Sequence, residues 1–123
     1  VKIRTAAGLA GATLASAVAG IMLAAPAHAD TARGVASLGS CQIFLSSARA
    51  GGHDYVRYNA ISWGQWGCTV FLRTWVGPNH YDHDGASVAP YGGASSSWYY
   101  DAGVKTQACI QMSSVDINCT VTY

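Results

Sequence analysis

Glutamate is absent from this 123-residue chain, and charged residues of every kind make up only 11% of it. The missing glutamate removes the usual acid of glycoside-cleaving enzymes, and the six aspartates show no paired spacing that would replace it. There is no Gly-x-Ser-x-Gly elbow to present a serine nucleophile. There is no Cys-x-x-Cys pair to begin a zinc site. After residue 29, no apolar pattern of helical period persists for three turns. Proline is scarce as well, with three in the chain. What remains is apolar and aromatic: 50% hydrophobic residues and 11% Phe, Trp and Tyr, too rich for a disordered tail. The length allows one small domain and leaves no room for a separate cofactor domain, so no cofactor is expected.

The first segment reads as an export signal. Lys2 and Arg4 form a positive head, and residues 6–25 carry no charge. Pro26 then breaks the run, and Ala27-His28-Ala29 places small residues where a signal peptidase reads them, so cleavage is expected before Asp30. The run is mostly Ala and Gly, which suits a removable signal better than a stable anchor, and no integral membrane segment is expected in the mature chain. Losing Lys2 and Arg4 turns the formal net charge from +1 to −1, which excludes a polybasic nucleic-acid or anionic-membrane binder.

From Cys41 onward the pattern is one of strands. Short apolar stretches at Gln42–Ser47, Tyr55–Tyr58, Ser87–Ala89, Ser97–Tyr100 and Asn118–Tyr123 alternate with Gly, Pro and Ser clusters. The longest strand signal is Cys68–Val76, where Cys68, Val70, Leu72 and Val76 share one face and Thr69, Phe71, Arg73 and Trp75 the other. Val104–Met112 alternates in the same way. Turn signals about every ten residues predict an all-β antiparallel sandwich or barrel over residues 41–123. Residues 30–40 are expected to form a loose N-terminal arm.

All four cysteines, Cys41, Cys68, Cys109 and Cys119, follow the expected cut, and an even number in a short exported chain points to two disulfides. Three connectivities are open. Cys109 and Cys119 flank turn-like Ser113-Ser114 and suit the arms of a hairpin, which leaves Cys41 with Cys68. On loop-closure arithmetic these bonds would contribute roughly 3.6 kcal/mol (Cys41–Cys68) and 2.8 kcal/mol (Cys109–Cys119). Face alternation speaks against the hairpin pair. Cys109 alternates with Lys105, Gln107 and Gln111, whereas Cys119 alternates with Ile117, Val121 and Tyr123, so a bulge or another pairing is implied.

Three groups of residues carry candidate chemistry. His80, Asp82, His83 and Asp84 lie close enough in sequence to offer imidazole and carboxylate ligands to a divalent metal, although the same residues suit a solvated hairpin tip. His53-Asp54 resembles the His-Asp pair of secreted phospholipases A2, in which His activates water and Asp supports calcium. That pair lies on a helix, whereas the pattern around His53 is strand-like. Trp63 and Trp66 stand between flexible glycines in Ser62-Trp63-Gly64-Gln65-Trp66-Gly67 and are the candidate binding aromatics. Trp75 and Trp98 are expected in the core.

Tyr55-x-x-Tyr58-Asn59, a Gly before Cys68-Thr69-Val70, and Tyr100-Asp101-Ala102-Gly103-Val104 leading to Cys109-Ile110 resemble the small secreted spore-associated protein A group of actinomycetes. The likeness spans Cys41 to Cys119 and departs after Cys109, where Gln111-Met112-Ser113-Ser114 stand in place of Trp-Gly-Gly. It implies a secreted, non-catalytic protein associated with a cell surface or spore, with a cell-envelope, spore-surface or protein partner. It supplies no catalytic residues. The competing expectations are a secreted protease or glycosidase inhibitor presenting the Trp63–Trp66 loop, and a small calcium-dependent lipid hydrolase using His53 and Asp54.

Overall fold

The computed structural model describes residues 30–123, so the expected export signal over 1–29 lies outside the described residues. Nine strands follow one another with no helix among the described residues: β1 Thr31–Leu38, β2 Cys41–Ala50, β3 His53–Ser62, β4 Cys68–Val76, β5 Asn79–Val88, β6 Gly93–Ser95, β7 Tyr99–Tyr100, β8 Lys105–Gln111 and β9 Ile117–Cys119. They form two antiparallel sheets. One has the order β9-β8-β4-β5, and the other β1-β2-β3-β6 with β7 also paired to β3. Hence no helix among the described residues is long and apolar enough to cross a membrane.

Alternation explains the packing. In β2 and β3, Cys41, Ile43 and Leu45 lie opposite Ser62, Ala60 and Tyr58 and point inward, while Gln42, Phe44, Asn59 and Ile61 point outward. In the facing sheet, Cys68, Val70 and Leu72 of β4 meet Val88 of β5 and Ala108 and Ile110 of β8 in the same buried cluster. Fully burying each Leu, Ile or Val stabilises the fold by roughly 1.5–3 kcal/mol before conformational entropy is charged against it.

Both disulfides form, Cys41–Cys68 and Cys109–Cys119. The first joins the start of β2 to the start of β4 and so crosses from one sheet to the other. The second links directly opposed residues of β8 and β9, with Cα atoms 4.0 Å apart. No bulge intervenes here, because the apolar alternation around Cys119 belongs to the outer face. Ile117 and Val121 are exposed, while Thr120 turns inward and is buried. Cys109 shares that outer face and is buried beside Phe71, which stands opposite it on β4.

Several expected features differ. The loose arm over 30–40 is instead strand β1, paired with β2 from Thr31 to Leu38 around a bulge at Ala32/Gly34. Its Ala, Gly and Ser residues give little strand signal alone, and a long antiparallel partner supplies the hydrogen bonds that propensity does not. Strand β5 is ten residues long, so His80–Gly85 lie within a hairpin arm rather than at its tip. Trp75 and Trp98 are half-buried outside the core: Trp75 donates through Nε1 to Gln107 (2.8 Å), and Trp98 lies under the Arg57 guanidinium at 4.6 Å.

Removing the inter-sheet bond by Cys41→Ala/Cys68→Ala is expected to cost about 2–4 kcal/mol, more than Cys109→Ala/Cys119→Ala, because it closes the longer loop. Chemical denaturation of both double variants under identical conditions checks the order.

Candidate binding site

The segment between β3 and β4 carries Trp63 and Trp66, exposed to 67% and 63%. It is short, and its backbone is fastened at several points. Trp63 N–H donates to Ser40 O at 2.8 Å, and Tyr91 N–H donates to Gly64 O at 2.9 Å. The buried Ser62 hydroxyl donates to Trp66 O at 2.6 Å, and the Ser40 hydroxyl reaches the same carbonyl at 3.1 Å. Gly67 is required at the exit, because a Cβ there would run into the Val88 carbonyl oxygen. Cys68 follows immediately and is bonded to Cys41. The two indoles are therefore held out on a backbone whose ordering cost is met in folding, not in binding.

Tyr91, 72% exposed, sits beside this loop through its bond to Gly64. Its φ of 56° is unusual for a residue with a Cβ. Behind Trp63 the outer face of the five-stranded sheet opens into a groove of about 730 Å³, lined by Phe44, Asn59, Ile61, Trp63, Gly93 and Ser95 together with Ala60 and Ala94. Strand register explains this grouping. Phe44, Asn59 and Ser95 form one cross-strand row of β2, β3 and β6, and Ile61 and Gly93 stand opposite each other in another. Asn59 accepts the Ser95 hydroxyl through Oδ1 and retains two donors on Nδ2. The sequence flagged Trp63 but not Phe44, Asn59, Ile61 or Ser95, because only the pairing of β2, β3 and β6 makes them neighbours, nor Tyr91, which its bond to Gly64 brings to the loop.

The His80–Asp84 cluster is divided between surroundings. His80 packs against Trp75 with ring centroids 4.6 Å apart, and Asp82 forms a two-pronged pair with Arg73 at 2.8 and 3.2 Å. On the opposite face from Asp82, and just before the bulge opposite Phe71, His83 donates through Nδ1 to Asp84 at 2.6 Å and meets the Thr74 hydroxyl through Nε2 at 2.8 Å. Among the described residues, no three His, Cys, Asp or Glu side chains gather where they could hold a metal. Thr74–His83–Asp84 has the connectivity of a nucleophile, base and orienting acid, but Thr74 is 0% exposed and cannot meet a substrate. The chain of bonds instead continues inward to Thr106 at 3.3 Å, while Tyr58 donates across the sandwich to the Asp84 carbonyl at 2.7 Å.

His53 and Asp54 open strand β3 as consecutive residues, with no helix to set them side by side. His53 packs edge-on against Tyr100 at 4.9 Å, and Asp54 is paired with Arg49 at 3.0 Å. Each has a partner of its own, and the pairing needed for water activation is not assembled.

Comparison with protein-family models, with curated proteins and with solved structures finds no match to this chain.

Two carboxyls near these clusters respond oppositely to pH. The hydrogen bond from Arg73 holds the Asp82 carboxyl below its ordinary 3.8. Its contribution is therefore present above that pH and is lost as pH falls through the lowered folded value. Burial raises the Asp101 carboxyl, so the folded state favours its proton and stability declines as pH rises above 3.8. Asp101→Asn keeps an acceptor for the Gly103 N–H, which the carboxylate receives at 3.0 Å, and removes the buried charge. It is expected to be more stable than the parent at pH 7, with the advantage vanishing near pH 3. Asp82→Asn should lose no more than about 1 kcal/mol at pH 7, the ceiling for an exposed ion pair. Denaturation curves at the two pH values test both signs.

Proposed function

We infer that this protein is an exported, non-catalytic binding domain that associates with a cell or spore surface through the end carrying Trp63 and Trp66. The observation that carries the reading is the pair of large exposed indoles on a loop fastened by Ser40, Ser62 and Tyr91. A solvated indole on a loop contributes little to the core, yet its backbone is fastened by hydrogen bonds with Ser40, Ser62 and Tyr91. That arrangement suits a surface that anchors to a partner, where a few aromatic side chains dominate the binding energy. The two disulfides fit an oxidising location outside the cytosol. The absence of glutamate, the burial of Thr74 and the separate partners of His53 and Asp54 support binding over catalysis.

The same fastened loop supports a second reading as a hydrolase inhibitor, since a rigid protruding segment can occupy an enzyme cleft without an ordering penalty. The two readings part in fractionation. Expressed in a spore-forming bacterial host, the wild-type protein is expected to sediment with cells or spores. Trp63→Ala/Trp66→Ala should reduce the retained fraction on the order of tenfold, the loss of one aromatic hot spot. Recovery of the wild-type protein only in the medium, together with inhibition of a protease or glycosidase panel that the double variant loses, would favour the inhibitor.

A further inference from the structure

We propose that the groove formed by Phe44, Asn59, Ile61, Trp63, Gly93 and Ser95 is a binding site for a neutral hexose glycan. This names the ligand class for the surface association inferred above and rests on that reading. Three properties of the groove carry it.

The first is charge: its lining includes no Asp, Lys, Arg or His, so nothing there would neutralise a phosphate, a uronate or an ammonium group. A charged ligand would lose hydration without compensation. The second is the combination of surfaces. Trp63 and Phe44 offer exposed aromatic area, against which the C–H face of a pyranose ring can pack. Asn59 keeps two amide donors, and the Ser95 hydroxyl oxygen can still accept, so both senses of hydrogen bond are available to sugar hydroxyls. The third is size and rigidity. About 730 Å³ falls within the range of small-ligand sites and accommodates a short run of sugar rings. The floor consists of paired strands β2, β3 and β6, so the polar and aromatic groups are positioned before binding. Gly93 stands opposite Ile61 with no side chain of its own, which leaves that row open.

Trp66 does not line the groove, although it shares the loop, so Trp66→Ala is reserved for the retention assay. The protein with both disulfides intact would be titrated with neutral gluco-oligosaccharides (cello- and laminari-series) and, as the charged comparison, with galacturonate oligomers, using calorimetry and tryptophan fluorescence. Binding of at least one neutral series, with no response to the galacturonates, is expected. Trp63→Ala and Asn59→Ala should each weaken it by about tenfold, equivalent to 1.4 kcal/mol. Trp63→Phe should restore most of the affinity, and Val115→Ala, at an exposed residue outside the groove, should change it by less than about threefold, which is under 1 kcal/mol. Near-ultraviolet circular dichroism establishes that each variant is folded. Failure of both neutral series to bind at millimolar concentration, preferential binding of the galacturonates, or binding indifferent to Trp63→Ala would each overturn the assignment. Cell and spore retention of the same variants separates this from the broader reading: retention lost with Trp66→Ala but kept with Asn59→Ala, in the absence of glycan binding, leaves surface association standing and removes the glycan.

Discussion

The Cys41–Cys68 bond is the constraint on which the rest of the molecule depends. It ties the first residue of β2 to the first residue of β4, and these strands belong to different sheets. A sandwich this small has a limited apolar cluster, and its net stability is a small difference between burial and the entropy of ordering the chain. A covalent link between the layers removes the most damaging alternative, in which the sheets slide or separate. It also fixes both ends of one loop. Residues 63–67 leave β3 at Ser62, the cross-strand partner of Cys41, and re-enter the fold at Cys68. The exposed tryptophans are thus mounted on the most strongly cross-linked part of the domain.

Polar groups inside the sandwich complete this arrangement. Ser62 is buried and directs its hydroxyl to the Trp66 carbonyl, so a polar core residue serves the loop directly above it. At the other side, Thr74 and Thr106 are fully buried and share a hydrogen bond, with His83 and Asp84 continuing the chain outward. A buried hydroxyl without a partner costs about 1–3 kcal/mol, so a connected network is what makes threonine tolerable between the sheets. Plain alternation makes this network: Asp82 stands opposite Arg73 on the outer face, and His83, opposite Leu72, turns to the inner face and reaches Thr74. The bulge follows at Asp84-Gly85, opposite Phe71. Four residues that look like one ligand cluster in sequence therefore end in two environments.

Much of the framework was legible in the sequence for a simple reason: strand β4 is a long β-prone run bounded by Cys68 and a Gly-Pro turn, so composition and punctuation agree even though Val70, Phe71 and Leu72 are buried in succession. That the four cysteines form two disulfides was legible from their even number, while spacing favoured the observed pairing and left three connectivities open. The objection to Cys109–Cys119 rested on equating an apolar alternation with the core, and Ile117 and Val121 show the cost of that equation by facing solvent. Strand β1 escaped because small residues pair well without announcing it. Strand β5 escaped because His, Asp and Tyr at exposed positions resemble a loop until Arg73, Thr74 and Trp75 are placed opposite them. The groove was the least legible feature. Phe44, Asn59 and Ser95 lie on strands far apart in sequence, and nothing in any one strand marks its outward residue as part of a row.

That row explains why an apolar outer face persists on a protein with so few charges. Val35, Phe44, Asn59 and Ser95 run in register across β1, β2, β3 and β6, with Val35 and Phe44 both exposed. An exposed apolar strip on a sheet invites association with other sheets unless something limits how a partner can approach. Here the Trp63 loop rises at one end of the strip, and Gly93 leaves a hollow within it. The polar half of the row, Asn59 and Ser95, bonded to each other, breaks the continuity of that apolar area.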